Sequence, residues 1–235
     1  MHKLLKTSIA GLATICLQAI DARTLVAQGS VSGSVTLEER RGADHGDIRD
    51  AVIYLESRGQ VVPIADVPAM RMGTIAMRGR EFLPHVRIVR VGGTVAFPNE
   101  DPFSHNVFSN AELGPFDLGL YRRGSSRAAR FPKAGVYAIY CNIHSKMSSF
   151  VVAVPSPWAT QPDADGRFLI QGVPAGSYVL HAWHEHGTSE VAREIYVPPS
   201  GAGPLPIVID ARTYVDAPHY NKFGRPYALI RDDRY

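Results

Sequence analysis

The chain has 235 residues, of which 45% are hydrophobic and 20% charged, and its 25 Lys and Arg against 22 Asp and Glu give a formal net charge of +3. This length allows one large or two small domains. A nearly neutral chain without a run of Lys or Arg excludes the electrostatic footprint of a protein that binds nucleic acid or an anionic membrane surface.

The first 27 residues have the pattern of a secretory signal peptide. Lys3 and Lys6 precede an apolar run over residues 9–20, which is shorter than the about 20 apolar residues that span a bilayer. We therefore expect cleavage near residue 27 and an exported, periplasmic protein that does not insert into the membrane afterwards. Cleavage removes Cys16 with three basic residues and one acidic residue, so the net charge falls to about +1 and Cys141 is the only cysteine left.

The remainder of the chain has the pattern of an all-β protein. Short runs rich in Val, Ile, Tyr and Phe recur between turn residues, 17 prolines are scattered along the chain, and no segment keeps a helical period of 3.6. This pattern predicts β-sandwich domains rather than a helical or α/β fold. The runs, in chain order, are SVSGSVTL, AVIYLE, VRIVRVGGTVAF, GVYAIYC, SFVVAV, GRFLIQGV, GSYVLHAW and PLPIVI.

Alternation within these runs predicts which side chains face inward. In GVYAIYC the odd positions, Tyr137, Ile139 and Cys141, share one face of a strand. Cys141 is then the last inward position of that strand, and His144 and Met147 lie in the loop that follows. In GTVAF, Val95 and Phe97 likewise share a face, and His105 comes after a loop at the start of a further short strand.

A lone thiol in an exported protein is expected to be oxidised, paired in a disulfide or bound to a ligand such as a metal ion. His105, Cys141, His144 and Met147 offer a thiolate, two imidazoles and a thioether. Thioether sulfur is a poor ligand for zinc, whereas two His and one Cys with a weak axial Met are typical of blue copper sites. Two other interpretations stay open: an inert buried thiol, or a Cys–His nucleophile, which would leave Met147 without a role.

The segments GTVAFPNEDPFSHNVFS and GVYAIYCNIHSKMSSFVVAV resemble the cupredoxins, the type 1 blue copper proteins of plastocyanin and amicyanin type, over about residues 82–154. With the module that follows, they look like exported plastocyanin-like proteins of the methylamine-utilisation type. The resemblance implies a Greek-key β-sandwich and one type 1 copper ion, with ligands His105, Cys141 and His144 and with Met147 axial. It also implies that the side chain of Asn106 ties the first ligand strand to the Cys141 loop.

A second resemblance lies downstream. DADGRFLIQGVPAGSYVLHAW is similar to the carboxypeptidase regulatory-like (transthyretin-like) module, a small β-sandwich, and SVSGSVTL with IRDAVIYLE looks like its first two strands. The predicted order is a signal peptide (1–27), N-terminal strands (28–59), a cupredoxin domain (60–155), a regulatory-like domain (156–212) and a surface tail (213–235). The cupredoxin domain is either inserted into the regulatory-like domain or includes the N-terminal strands itself.

The other histidines carry weaker expectations. His181, His184 and His186 are predicted to be surface residues of an edge strand, with a second metal site as the alternative, and His85 is expected to be structural.

The sequence thus predicts a one-electron carrier rather than an enzyme, with a protein as its redox partner. His144 is expected to be the electron gate, inside an apolar collar of Pro102, Phe103, Ile143 and Met147. Two alternatives are a copper-delivery protein, and a surface binding module in which copper is only structural.

Overall fold

The structure is a computed structural model that describes residues 28–42, 45–59, 70 and 72–227. In these residues the chain forms β-strands and one short 3-10 helix, Ile48–Asp50, which confirms the all-β prediction. Among them, no helix is long and apolar enough to cross a bilayer. The predicted signal peptide, with Cys16, lies outside the described residues.

The strands are named in chain order. They are β1 (Gln28–Glu39), β2 (Val52–Ser57), β3 (Met72–Thr74), β4 (Ala76–Arg78), β5 (Glu81–Leu83), β6 (Val86–Arg90), β7 (Thr94–Pro98), β8 (His105–Ser109), β9 (Phe116–Tyr121), β10 (Ser126–Arg130), β11 (Gly135–Tyr140), β12 (Ser148–Val154), β13 (Ala159–Thr160), β14 (Arg167–Pro174), β15 (Gly176–Trp183), β16 (Val191–Val197) and β17 (Ala202–Ala211).

The first sandwich is built from the middle of the chain. A sheet in the order β10-β7-β3 faces a five-stranded sheet in the order β6-β12-β11-β8-β9, and β4 and β5 form a hairpin beside them. Alternation fills the space between the sheets as predicted, because Val95 and Phe97 of β7 and Tyr137 and Ile139 of β11 are all fully buried. Cys141 lies in this same core, one residue beyond the end of β11.

The second sandwich combines strands from both ends of the chain. One sheet has the order β14-β1-β17 and the other the order β13-β2-β15-β16. β1 pairs antiparallel with β14 and parallel with β17, and β2 pairs antiparallel with β15. The nested arrangement requires this pairing, and the domain boundaries themselves stay a prediction.

The two sandwiches pack against each other through an apolar interface. Val52 of β2 lies against Val86, Val152 and Val154 of the first sandwich, and all four side chains are buried. We call this contact the inter-sandwich interface. Burial of such side chains contributes about 1.5–3 kcal/mol each, so the interface holds the two sandwiches together.

Candidate metal centre

Two strands position the four predicted ligands. His105 is the first residue of β8, and Cys141 follows the last residue of β11, the strand that pairs with β8. The loop after Cys141 closes on itself: Met147 N–H donates to the carbonyl of His144 and Cys141 N–H donates to the carbonyl of Met147, each at 3.1 Å. The loop that carries three of the four residues is therefore fixed by its own backbone.

Three of the predicted side chains converge. The Nδ1 atoms of His105 and His144 are 3.1 Å apart, and the sulfur of Cys141 lies 3.8 Å from the first and 3.5 Å from the second. His105 and Cys141 are fully buried, and His144 is half-buried. Met147, only 1% exposed, packs in the same core as Cys141. The arrangement points two imidazole nitrogens and one thiol at a common point, as a metal site requires.

Asp101 determines which nitrogen of His105 faces that point. Its Oδ2 accepts a hydrogen bond from His105 Nε2 at 2.8 Å, which leaves Nδ1 directed toward the sulfur. Asp101 is itself fixed, because its carboxylate also accepts from the backbone N–H of Gly79 and of Arg80, at 2.6 and 2.9 Å. These donors lower the pKa of Asp101 against the opposing effect of burial, while burial lowers the pKa of His105. A neutral imidazole held by a carboxylate is the form that binds a metal.

Two opposing influences act on the ionisation of the Cys141 thiol. Burial raises its pKa, and the backbone N–H groups of Ile143, Asn106 and His144 act in the other direction. The raised pKa keeps the sulfur protonated when no metal is bound. The same three N–H groups are available to stabilise a thiolate once a metal displaces the proton.

Asn106 does not have the role that the resemblance implied. Its side-chain Nδ2 donates to Asp117 Oδ1 at 2.7 Å, on the neighbouring strand β9, and not to the Cys141 loop. The pairing of β8 with β9 is irregular between Asn106 and Phe108, which brings Asp117 within reach. The contact with the thiol is made instead by the backbone N–H of Asn106.

Residues 213–227, the tail segment, run across the first sandwich beside the Cys141 loop. The ring of His219 stacks on Tyr140 with centroids 4.3 Å apart, and Lys222 N–H donates to Asn142 Oδ1 at 2.9 Å. The hydroxyl of Tyr227 donates to the carbonyl of Cys141 at 2.6 Å. Lys222 Nζ also pairs with Asp117 Oδ2 at 2.6 Å, so the tail contacts the carboxylate that accepts from the Asn106 side chain.

The chain's structural neighbours are cupredoxins. They include amicyanin from Paracoccus versutus, with 23% identity over 43% of this chain and 98% of amicyanin at a TM-score of 0.34. A purple cupredoxin from Nitrosopumilus maritimus is 23% identical over 35% of this chain and 99% of its own length, at a TM-score of 0.32. A copper-containing nitrite reductase from Thermus scotoductus is 30% identical over 34% of this chain at a TM-score of 0.33, and this chain spans only 22% of it. No protein-family model matches the chain. No curated protein sequence matches it.

The predicted apolar collar is partly wrong. Met147 is buried in the core of the first sandwich, so it cannot contribute to a surface. Ile143 is 44% exposed, and the ring of Phe103 lies 5.1 Å from that of His105 and 5.8 Å from that of His144. Pro102 is exposed beside Phe103. The apolar surface near His144 therefore consists of Pro102, Phe103 and Ile143.

The prediction of surface histidines on an edge strand is also wrong. β15 ends at Trp183 and lies between β2 and β16, so it is not an edge strand. His181, within it, stacks on Tyr54 with centroids 4.5 Å apart. His184 is buried and its Nε2 donates to the carbonyl of Asp47, while His186 stacks on Tyr214. Each histidine packs against a neighbouring side chain or a backbone carbonyl.

Sequence reasoning missed two parts of the site. Asp101 lies four residues before His105, and an acidic residue in the loop before a predicted ligand was the available signal. Tyr227 and Lys222 gave none, because the tail segment has no periodicity that would predict where it lies.

Proposed function

We propose that the protein is an exported electron carrier with one type 1 copper ion, which His105, Cys141 and His144 would hold, with the thioether of Met147 as a weak fourth ligand. The observation that carries this proposal is the convergence of two imidazole nitrogens on the sulfur of a buried cysteine. These donors fit copper: thiolate and imidazole are the ligands of blue copper sites, and a nearby thioether adds a ligand that zinc disfavours. Bound copper would supply reversible one-electron chemistry.

The residues of the chain support a carrier by keeping the ligands in place. The closed backbone of the Cys141 loop, the strand start at His105 and the carboxylate of Asp101 each restrict one ligand. A site that does not rearrange suits electron transfer, since little reorganisation accompanies the change of charge, and it opposes the ligand exchange that copper delivery needs.

His144 is the proposed route for electrons. It is the least buried of the three converging residues, and Phe103, Pro102 and Ile143 surround it with apolar surface. A protein redox partner would dock on this surface. Redox encounters bury small areas, so that the partner is released quickly.

Copper loading tests the proposal. The copper-loaded full chain should show an intense thiolate-to-copper charge-transfer band in the visible spectrum and a reversible one-electron wave in voltammetry. The Cys141→Ser variant should lose the band, because serine has no thiolate to donate the charge, while the exposed-residue control Ser145→Ala should keep it. Stoichiometric copper without a charge-transfer band would contradict the ligand assignment. Fast and complete loss of Cu(I) to a weak chelator would favour delivery over electron transfer.

A further inference from the structure

A second group of possible metal ligands lies at the edge of the inter-sandwich interface. Asp50 ends the 3-10 helix before β2, His85 lies between β5 and β6, and Glu185 follows β15. One ligand atom from each of the three lies within 4.8 Å of the other two, and His85 Nε2 is 2.6 Å from Glu185 Oε1. All three side chains are partly buried.

The three residues come from both sandwiches. His85 belongs to the first, where its carbonyl accepts from Phe150 N–H at 2.8 Å and its ring lies edge-on to that of Phe150. Asp50 and Glu185 belong to the second. Phe150 in turn contacts Trp183, two residues before Glu185, so the packed interface fixes the positions of His85 and Glu185.

The charges of this group do not balance. Two carboxylates face one imidazole, and no described residue donates a hydrogen bond to the carboxylate of Asp50. The nearest cation on the same element, Arg49, is engaged by Asp47 through several hydrogen bonds. A divalent cation would neutralise the excess negative charge.

We propose that Asp50, His85 and Glu185 form a second metal site, separate from the Cys141 centre, that binds Zn²⁺ and links the two sandwiches. One imidazole nitrogen and two carboxylate oxygens are ligands that zinc takes at about 2.0–2.2 Å, which places neighbouring donors in a tetrahedral shell roughly 3.3 Å apart. The ligand atoms of the three side chains lie between 2.6 Å and 4.8 Å apart, a range that includes this value. Small side-chain movements therefore bring the three donors onto one ion. The absence of sulfur separates this harder set from the soft set at Cys141.

His181 shows why a histidine that lies between two carboxylates is not enough to form a metal site. Glu190 lies 3.0 Å from its Nδ1 and Glu56 lies 3.6 Å from its Nε2. The carboxylates therefore approach opposite nitrogens of the ring and cannot meet at one ion. His181 is thus a matched control: it has the same residue types nearby but lacks the convergence.

The number of bound zinc ions tests the proposal. The full chain, purified without a histidine tag, is dialysed against micromolar Zn²⁺, and bound zinc is measured for the wild type, His85→Gln, Glu185→Gln and His181→Gln. We expect His85→Gln and Glu185→Gln each to bind one zinc fewer than the wild type, and His181→Gln to bind the same number. Because only the difference counts, the result does not depend on what binds at Cys141.

Thermal unfolding distinguishes a metal site from a simple ion pair. Zn²⁺ should raise the melting temperature of the wild type and of His181→Gln by more than that of Glu185→Gln, since ligand binding to the folded state stabilises it. Glu185→Gln preserves the shape of the side chain and provides a folded variant if His85→Gln unfolds. Equal zinc stoichiometry in the wild type and Glu185→Gln, with only a lower melting temperature in the variant, would overturn the proposal and leave an ion pair.

Discussion

Asp101 connects the candidate metal centre to the β4–β5 hairpin. It receives two backbone hydrogen bonds from the turn of that hairpin and the ring N–H of His105. A carboxylate that holds a ligating histidine fixes the orientation of the ring and raises its basicity, and loss of such a partner costs about 10–100-fold in metal affinity. The acidic side chain is therefore part of the site although it does not face the converging ligand atoms.

We predict that Asp101→Asn weakens copper binding by about 10–100-fold, because the amide cannot accept from all three donors. Competition with a chelator of known affinity measures the effect, and the charge-transfer band reports whether the sulfur still binds. Glu100→Gln is the control, since Glu100 pairs only with the exposed Arg78 in the described residues. Equal affinities in the two variants would show that Asp101 has no part in orienting His105.

At the scale of residues, the sequence predicted which side chains converge but not which groups hold them in place. Cys141 and His144 could be recognised because their chemical types occur together, and His105 because it follows a turn at the start of a strand. The role of Asp101 depends on a hairpin turn, Gly79-Arg80, more than 20 residues earlier in the chain. Such a non-local hydrogen bond leaves no pattern in a single sequence.

At the scale of elements, the tail segment is the least expected feature. A tail laid over the surface was predicted, but the structure places it on the one loop that carries Cys141. Tyr227 donates to the backbone carbonyl of Cys141, and Lys222 contacts Asn142. The tail segment therefore restrains this loop through hydrogen bonds on the side that faces away from the core.

We predict that Tyr227→Phe destabilises the protein by about 1 kcal/mol and lowers the reduction potential of the copper-loaded form. The lost hydrogen bond leaves the carbonyl of Cys141 without its donor and returns electron density to the ligating residue, which favours the oxidised metal. Chemical denaturation and voltammetry measure the two effects. Tyr220→Phe is the control in the same segment, because Tyr220 is 60% exposed. If both variants behave alike, the tail only covers the surface.

The strand predictions succeeded where they depended on alternation within one segment. They failed where they depended on which strands pair with each other. The inward faces of β7 and β11 followed directly from period-two alternation. The edge-strand prediction for residues 181–186 failed because the partners of β15 come from β2, over a hundred residues earlier, and from β16. Which strands are neighbours is a property of the folded chain and cannot be read from one segment.

At the scale of the whole molecule, the order of the strands bears on whether the first sandwich is inserted into the second. β2 pairs with β13 so that Tyr54 faces Ala159, and Leu55 N–H donates to the carbonyl of Trp158 at 2.9 Å. The chain thus leaves the second sandwich after β2 and returns to it on the adjacent strand. The two ends of the intervening segment are close enough for a short turn to join them.

We predict that excision of residues 60–155, with a short Gly-containing turn in their place, leaves a folded β-protein. Its core needs only residues outside the excised segment: Trp158 packs on Tyr178 and donates to the carbonyl of Gly172 at 3.0 Å. Excision uncovers Val52 at the inter-sandwich interface, which should reduce solubility but not remove the core. A circular dichroism spectrum typical of β-sheet and a cooperative unfolding transition would report the fold.

Removing β1 as well provides the control that decides between nesting and its alternative. β1 is the central strand of β14-β1-β17, so its loss leaves β14 and β17 without a partner between them and removes Val31 and Val35 from the core. Two unpaired strands with exposed backbone groups are not stable in water. The excised protein without residues 28–39 should therefore fail to fold, whereas the version that keeps them folds. If residues 157–212 fold by themselves with equal stability, the N-terminal strands are not part of that domain, and the nested arrangement is wrong.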